Sequence, residues 1–158
     1  MKKIAKLHCL LVTIIFFAFA NNLFAQATES SKDYAEFIFY RPSQSVMSGG
    51  AGVEIKLFMN DQEVETLFNG VMLKYKMYSE GDIKIKTQGY MSGGAVGGPW
   101  VNTITVKHGE VYHIKLESKF PSGIVAEILE GKKLAKMEKN KWSDVIEKVE
   151  SKDNPLIN

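Results

Sequence analysis

The chain has 158 residues, of which 24% are charged, and a single cysteine, a length that suits one domain. Its formal charge of +2 comes from the start of the chain: Lys2, Lys3 and Lys6 precede residue 25 while all 18 acidic residues follow it, so 20 − 3 = 17 basic residues face 18 acidic ones in the remainder. That balance excludes the basic footprint of a nucleic-acid-binding protein, and a lone thiol at Cys9 excludes a disulfide framework.

Residues 1–25 read as a secretory signal peptide. The three lysines are followed by an apolar run from Leu10 to Ala20 and a short polar stretch ending in Leu23-Phe24-Ala25, which places cleavage after Ala25. The apolar run is about half of the ~20 residues a spanning helix needs. An uncleaved anchor is the competing reading, weakened by Asn21, Asn22 and Gln26 in the longer uncharged stretch. A lipid anchor is excluded because Cys9 lies before the apolar run rather than at its end. The expected mature chain starts at Gln26 and has no transmembrane span. It is exported, to the periplasm, the cell surface or the medium, and loses Cys9 with its signal.

Residues 26–33 are polar and form an expected lead-in. Beyond them apolar and polar residues alternate with the period of strands half-buried on one face. Val53, Ile55, Leu57 and Met59 form one such series, Val71, Leu73, Tyr75 and Met77 a second, and Tyr112, Ile114 and Leu116 a third. Turn signals separate them at Asn60-Asp61, Asn69-Gly70, Glu80-Gly81-Asp82 and His108-Gly109. Asn-Gly is the strongest hairpin signal, because a type I′ turn needs positive φ at both central residues. Strands are expected at 34–41, 53–59, 63–67, 71–78, 83–88, 101–106, 111–117 and 124–129. About eight short strands at this spacing predict an all-β fold: an antiparallel β-sandwich, immunoglobulin-like or transthyretin-like, over residues 34–130. The period then changes. Leu134 and Met137 share one face of an expected helix from Gly131 to Lys139, and Trp142, Val145, Ile146 and Val149 follow helical spacing in a second segment. Residues 131–152 are therefore expected to be a C-terminal helical segment.

Three stretches resemble a known family. Phe37-Ile38-Phe39-Tyr40-Arg41-Pro42 is similar to its opening strand. Leu57-Phe58-Met59-Asn60-Asp61-Gln62-Glu63-Val64 with Leu67-Phe68-Asn69-Gly70 is similar to its central hairpins, and Gly109-Glu110-Val111-Tyr112-His113-Ile114 to its penultimate strand. Together they resemble the bacterial envelope family known as domain of unknown function 2846, over roughly residues 34–137. The resemblance implies a β-sandwich in an exported protein or lipoprotein, with no reaction, cofactor or catalytic residue. The chain departs from that pattern in lacking a lipid-attachment cysteine and in its larger glycine-rich loops.

Two features are candidates for function. Met47-Ser48-Gly49-Gly50-Ala51-Gly52 recurs in similar form as Met91-Ser92-Gly93-Gly94-Ala95-Val96-Gly97-Gly98. Both copies are expected in loops, at one end of the sheet if strands run up and down in order. Glycine permits close backbone approach, and apolar groups on adaptable loops suit recognition of an envelope protein or glycan. The candidate contact set is Met47, Gly49, Gly50, Tyr90, Met91, Gly93, Gly94, Trp100 and Phe120. The plainer reading is two flexible loops with Trp100 in the core. Neither copy ends in the Gly-Lys-Ser/Thr of a phosphate-binding P-loop.

The second feature is a lysine ladder. If Met77 and Ile83 face the core on paired strands, Lys76 opposes Lys84 and Lys74 opposes Lys86, an unfavourable arrangement of like charges. An anionic glycan or lipid headgroup would offset it, as would a neighbouring acid such as Glu54 or Glu65. The plainer reading is a solvated face that resists edge pairing. No motif points to catalysis, a metal or a cofactor. His108 falls in a turn and His113 on a wet strand face, and no His-Glu-x-x-His or Gly-x-Ser-x-Gly occurs. A small hydrolase built on an unrecognised carboxylate pair is the remaining enzymatic reading.

Overall fold

In the computed structural model, which describes residues 32–45, 52–119, 122–153 and 155–157, alternation of apolar and polar residues sets the strands. They are β1 (Ala35–Tyr40), β2 (Glu54–Met59), β3 (Gln62–Leu67), β4 (Val71–Met77), β5 (Gly81–Met91), β6 (Gly94–Val106), β7 (Val111–Lys119), β8 (Gly123–Ile128) and, after helix α1 (Gly131–Glu138), β9 (Asp144–Val149). The inward-facing series is fully buried: Phe37 and Phe39 on β1, Ile55, Leu57 and Met59 on β2, Leu73 and Met77 on β4, Ile83 and Ile85 on β5, Ile114 and Leu116 on β7. Burying each such side chain is worth about 1.5–3 kcal/mol, and this core supplies the drive for the fold. Residues 1–25, where a signal peptide is expected, lie outside the described residues.

The all-β expectation holds, but the architecture is not an antiparallel sandwich of eight strands. Nine strands form one mixed sheet in the order β3-β2-β5-β6-β8-β7-β1-β4-β9, curled into a half-barrel. β1 lies parallel to β7 and β4 parallel to β9, while the remaining long pairings are antiparallel. The turn signals mark real turns, yet several join strands that do not pair. Asn60 and Asp61, at φ of 45° and 63°, close the β2–β3 hairpin. Asn69-Gly70 instead carries the chain from β3 to β4, which sit far apart in the sheet order. There the amide of Gly70 donates to the Arg41 carbonyl and its own carbonyl accepts from Ser143. The lysine ladder therefore does not form, because β4 lies between β1 and β9 and β5 lies between β2 and β6.

The expected second C-terminal helix is strand β9. Val145, Ile146 and Val149 are β-branched and favour extended backbone, and the otherwise open edge of β4 supplies six paired positions from Val71↔Asp144 to Lys76↔Val149. The first helix forms as expected. Met137 is buried and Leu134 half-buried against a small second core of Tyr40 and Leu129, flanked by Ile38, Met72 and Trp142, on the outer face of the sheet.

The glycine-rich stretch from Gly94 to Gly98 is also strand, not loop. β5 and β6 form a long hairpin with Ser92-Gly93 at its tip and Met91 opposite Gly94. β6 then meets β8 at one pair, Gly98↔Gly123. The approach requires glycine: a Cβ on Gly97 would collide with the Cα of Gly123, and one on Gly123 would lie 2.8 Å from the Gly98 carbonyl oxygen. Both residues also have left-handed φ, +66° and +93°. This junction makes one sheet of what would otherwise be two, β3-β2-β5-β6 and β8-β7-β1-β4-β9.

The other end of the curl is closed by side chains. Lys148 on β9 donates to the Val64 carbonyl on β3 at 2.7 Å and pairs with Glu65 at 2.8 Å. Below it, the chain after β9 turns back under the half-barrel and buries Leu156 in the core. The buried carboxylate of Glu150 holds that turn. It accepts from the amides of Tyr78, Ser79 and Leu156 at 2.6, 2.8 and 2.7 Å and from the Ser79 hydroxyl at 2.7 Å.

Gly97→Ala and Gly123→Ala each lower unfolding free energy by about 2–4 kcal/mol in urea denaturation, through clash and left-handed strain. Gly93→Ala, whose Cβ meets nothing within 4 Å, stays within about 0.5 kcal/mol of the parent. Glu150→Ala costs about 3 kcal/mol or more, since it strands buried donors. Hydrogen exchange is expected to show the Leu156, Tyr78 and Ser79 amides deprotected together.

Candidate functional site

Strand direction gathers the candidate loops. β1, β3, β5 and β7 run toward one end, and β2, β4, β6 and β8 start from it. The turns at 68–70 and 92–93 lie at this loop end, and the segments that follow β1 and β7 leave from it. Met47, Gly49, Gly50 and Phe120 belong to those segments and lie outside the described residues.

The described candidates divide. Met91 is 47% exposed at the hairpin tip beside exposed Gly93 and Gly94. Tyr90 is half-buried one residue below, with the Lys56 ammonium 5.5 Å from its ring centroid. Trp100 is not at the loop end. It lies mid-strand opposite Thr87, and its half-buried side chain packs against the core. Phe68, absent from the candidate set, belongs there: it is 54% exposed in the turn between β3 and β4. Its signal was an aromatic residue inside a tight-turn sequence, Leu67-Phe68-Asn69-Gly70.

Beneath this end lies a buried polar network that composition did not reveal. Arg41 is fully buried, and burial pushes its guanidinium down to about 10 against the opposing effect of Glu117. It donates to Gln44 Oε1 and, at 3.4 Å, to the Val53 carbonyl. Gln44 in turn bonds the Ser118 amide and carbonyl at 3.1 and 3.0 Å and exchanges two hydrogen bonds with Asn69. Residues 41–44 are thus pinned to β7 and to the Phe68 turn, giving the loop end a rigid base. The odd-numbered period that buries Phe37 and Phe39 carries Arg41 inward, which is the signal that places it.

The four lysines of the expected ladder occupy two regions of the outer face. Lys74 pairs with Glu147 at 3.2 Å and Lys84 with Asp61 at 2.6 Å. Lys76 lies 5.1 Å from the Tyr34 ring centroid and Lys86 lies 5.3 Å from that of Phe58. Lys74, Lys76 and Lys148 share a groove of about 270 Å³ with Tyr34, Glu36, Glu147 and Val149, so acids and lysines nearly balance there. Glu54 and Glu65, the acids expected to offset the ladder, do not do so. Glu65 serves Lys148 instead.

The histidines have separate structural partners. His108 Nε2 is 2.8 Å from the Tyr78 carbonyl, and its amide donates to Glu80 at 2.7 Å. His113 Nδ1 is 2.9 Å from the Tyr40 hydroxyl, the rings stacked at 5.9 Å beside Trp142. Burial lowers His113 below its ordinary value of 6.5, with Glu138 and Glu36 opposing. Burial likewise pushes Tyr40 up to about 12. Among the described residues no three His, Cys, Asp or Glu side chains are grouped to hold a metal ion, and no helix is long and apolar enough to cross a membrane.

No family model, no curated protein and no solved structure matches this chain.

The His113 arrangement predicts a pH dependence. Folding favours the neutral ring, so its contribution is complete above pH about 6.5 and is lost as the pH falls from there through the lowered folded value. Melting temperatures measured from about pH 7.5 to about pH 5 are expected to fall less steeply for His113→Gln, which keeps an acceptor for Tyr40, than for the parent.

Proposed function

We propose that this protein is an exported, non-enzymatic binding module of the bacterial cell envelope that holds an envelope protein at the loop end of its sheet. The observation that carries the reading is the pair of large apolar side chains left in water there, Phe68 at 54% and Met91 at 47%, the first on the turn held by the Arg41–Gln44–Asn69 network and the second at the tip of the β5–β6 hairpin. Scattered exposed apolar residues are ordinary, but two on turns at one end of the sheet suit a contact surface. The layout of residues 1–25 supports export, and the resemblance to domain of unknown function 2846 supports an envelope role without a reaction. The alternative, anion binding by Lys74, Lys76, Lys84 and Lys86, is less favoured because each has an acid or an aromatic ring beside it.

The test is photocrosslinking in intact cells, with the reactive residue at Phe68 or Met91 and a control at Lys84. Discrete protein adducts at both apolar positions and none at the control are expected. Adducts at Lys84 alone, or none at any position, overturn the reading.

A further inference from the structure

The charge of the chain is more uneven than its formal total of +2 suggests. Residues 115–141 carry seven lysines (115, 119, 132, 133, 136, 139, 141) against four glutamates (117, 127, 130, 138), an excess of 7 − 4 = 3 positive charges. The fold gathers several of these around one concavity. Between the outer face of β7–β8 and helix α1 lies a pocket of about 180 Å³ lined by Lys115, Glu127, Leu129, Lys133, Lys136 and Met137. Leu129 and Met137 are buried and give it an apolar floor. Lys133 pairs with Glu127, and Lys115 with Glu117 at 2.6 Å. Lys136 makes no ion pair among the described residues.

Glu127 reports the local field. Its carboxyl is held below the usual range chiefly by the Lys133 hydrogen bond, with further contributions from Lys115 and Lys119 and with desolvation opposing. The first turn of α1 adds to the imbalance, because it contains no acidic residue while Lys132 and Lys133 occupy it. Cations at that end of a helix oppose its dipole.

We propose that this pocket binds a phosphate monoester with a short apolar body, the phosphate seated among Lys115, Lys133 and Lys136 and the apolar part resting on Leu129 and Met137. Glu117 and Glu127 pair with Lys115 and Lys133, so the three ammonium groups keep 3 − 2 = 1 excess positive charge, at Lys136, and a phosphate seated there draws the other two ammonium groups in competition with those carboxylates. The site lies on the outer face of the sheet and is independent of the loop end, so either assignment stands without the other. A soluble phosphate ester and the headgroup of phosphatidic acid offer the same chemistry.

The test uses the full chain at low salt, with hexyl phosphate, inorganic phosphate, and phosphatidylcholine vesicles with or without phosphatidic acid as probes. Hexyl phosphate is expected to bind more tightly than inorganic phosphate and to weaken as salt rises. Lys136→Glu, an exposed position, is expected to lower its affinity about tenfold or more, equivalent to about 1.4 kcal/mol, while Lys84→Glu leaves it unchanged. Retention on phosphatidic acid vesicles, lost in Lys136→Glu and absent on neutral vesicles, assigns the ligand to a lipid. Binding of hexyl phosphate without vesicle retention assigns it to a soluble ester. No binding of either probe, equal binding of hexyl and inorganic phosphate, or affinity that Lys136→Glu leaves unmoved overturns the proposal.

Discussion

The fold depends on one backbone contact. Gly97 and Gly123 let β6 and β8 approach more closely than any side chain allows, and the single pair Gly98↔Gly123 is the hydrogen-bonded link between the two groups of strands. A mixed sheet with such a narrow link can curl sharply at that point, because few ladder bonds resist the bend. The long inward series on both sides then face each other across a shared core. The half-barrel follows from packing constrained by a glycine junction more than from the strand pattern alone.

A curled sheet that does not close has edges, and unpaired edges invite association. Side chains cover parts of these. On β3 the Thr66 amide is taken by the carboxylate of Glu65 and the Val64 carbonyl by Lys148. On β6 the Thr103 amide is taken by Asn102, and Tyr112, stacked on Phe37 at 4.7 Å, donates to the Thr105 carbonyl. On β9 the Val145 amide is taken by Asp144.

Strand positions were legible because burial enforces a period of two, and the inward series that contain Ile55, Leu73 and Ile114 could be read directly. Partners were not legible. Asn69-Gly70 and Glu80-Gly81-Asp82 look like hairpin turns because turn chemistry is local, while the pairing they precede is decided by distant strands. The same limit produced the lysine ladder, which assumed that β4 and β5 were neighbours. Trp142, Val145, Ile146 and Val149 fit helical spacing by count, but their β-branched content fits the edge of β4 better. Of the loop-end set, Met91, Gly93 and Gly94 were readable from the glycine repeat. Phe68 was hidden in a turn signal, and Arg41 was overlooked because a charged residue is rarely assigned to the interior.

The position of β9 has a consequence for how the chain reaches this state. Its partner β4 was made some seventy residues earlier: Lys74 and Glu147 are 73 positions apart, and Asn60 is 96 from Leu156, whose carbonyl it holds at 2.6 Å. Contacts of such long sequence separation slow folding. Until β9 pairs, β4 keeps an open edge, and until Leu156 docks, the floor of the half-barrel is incomplete. The two halves of the core are therefore completed by contacts that span most of the described sequence.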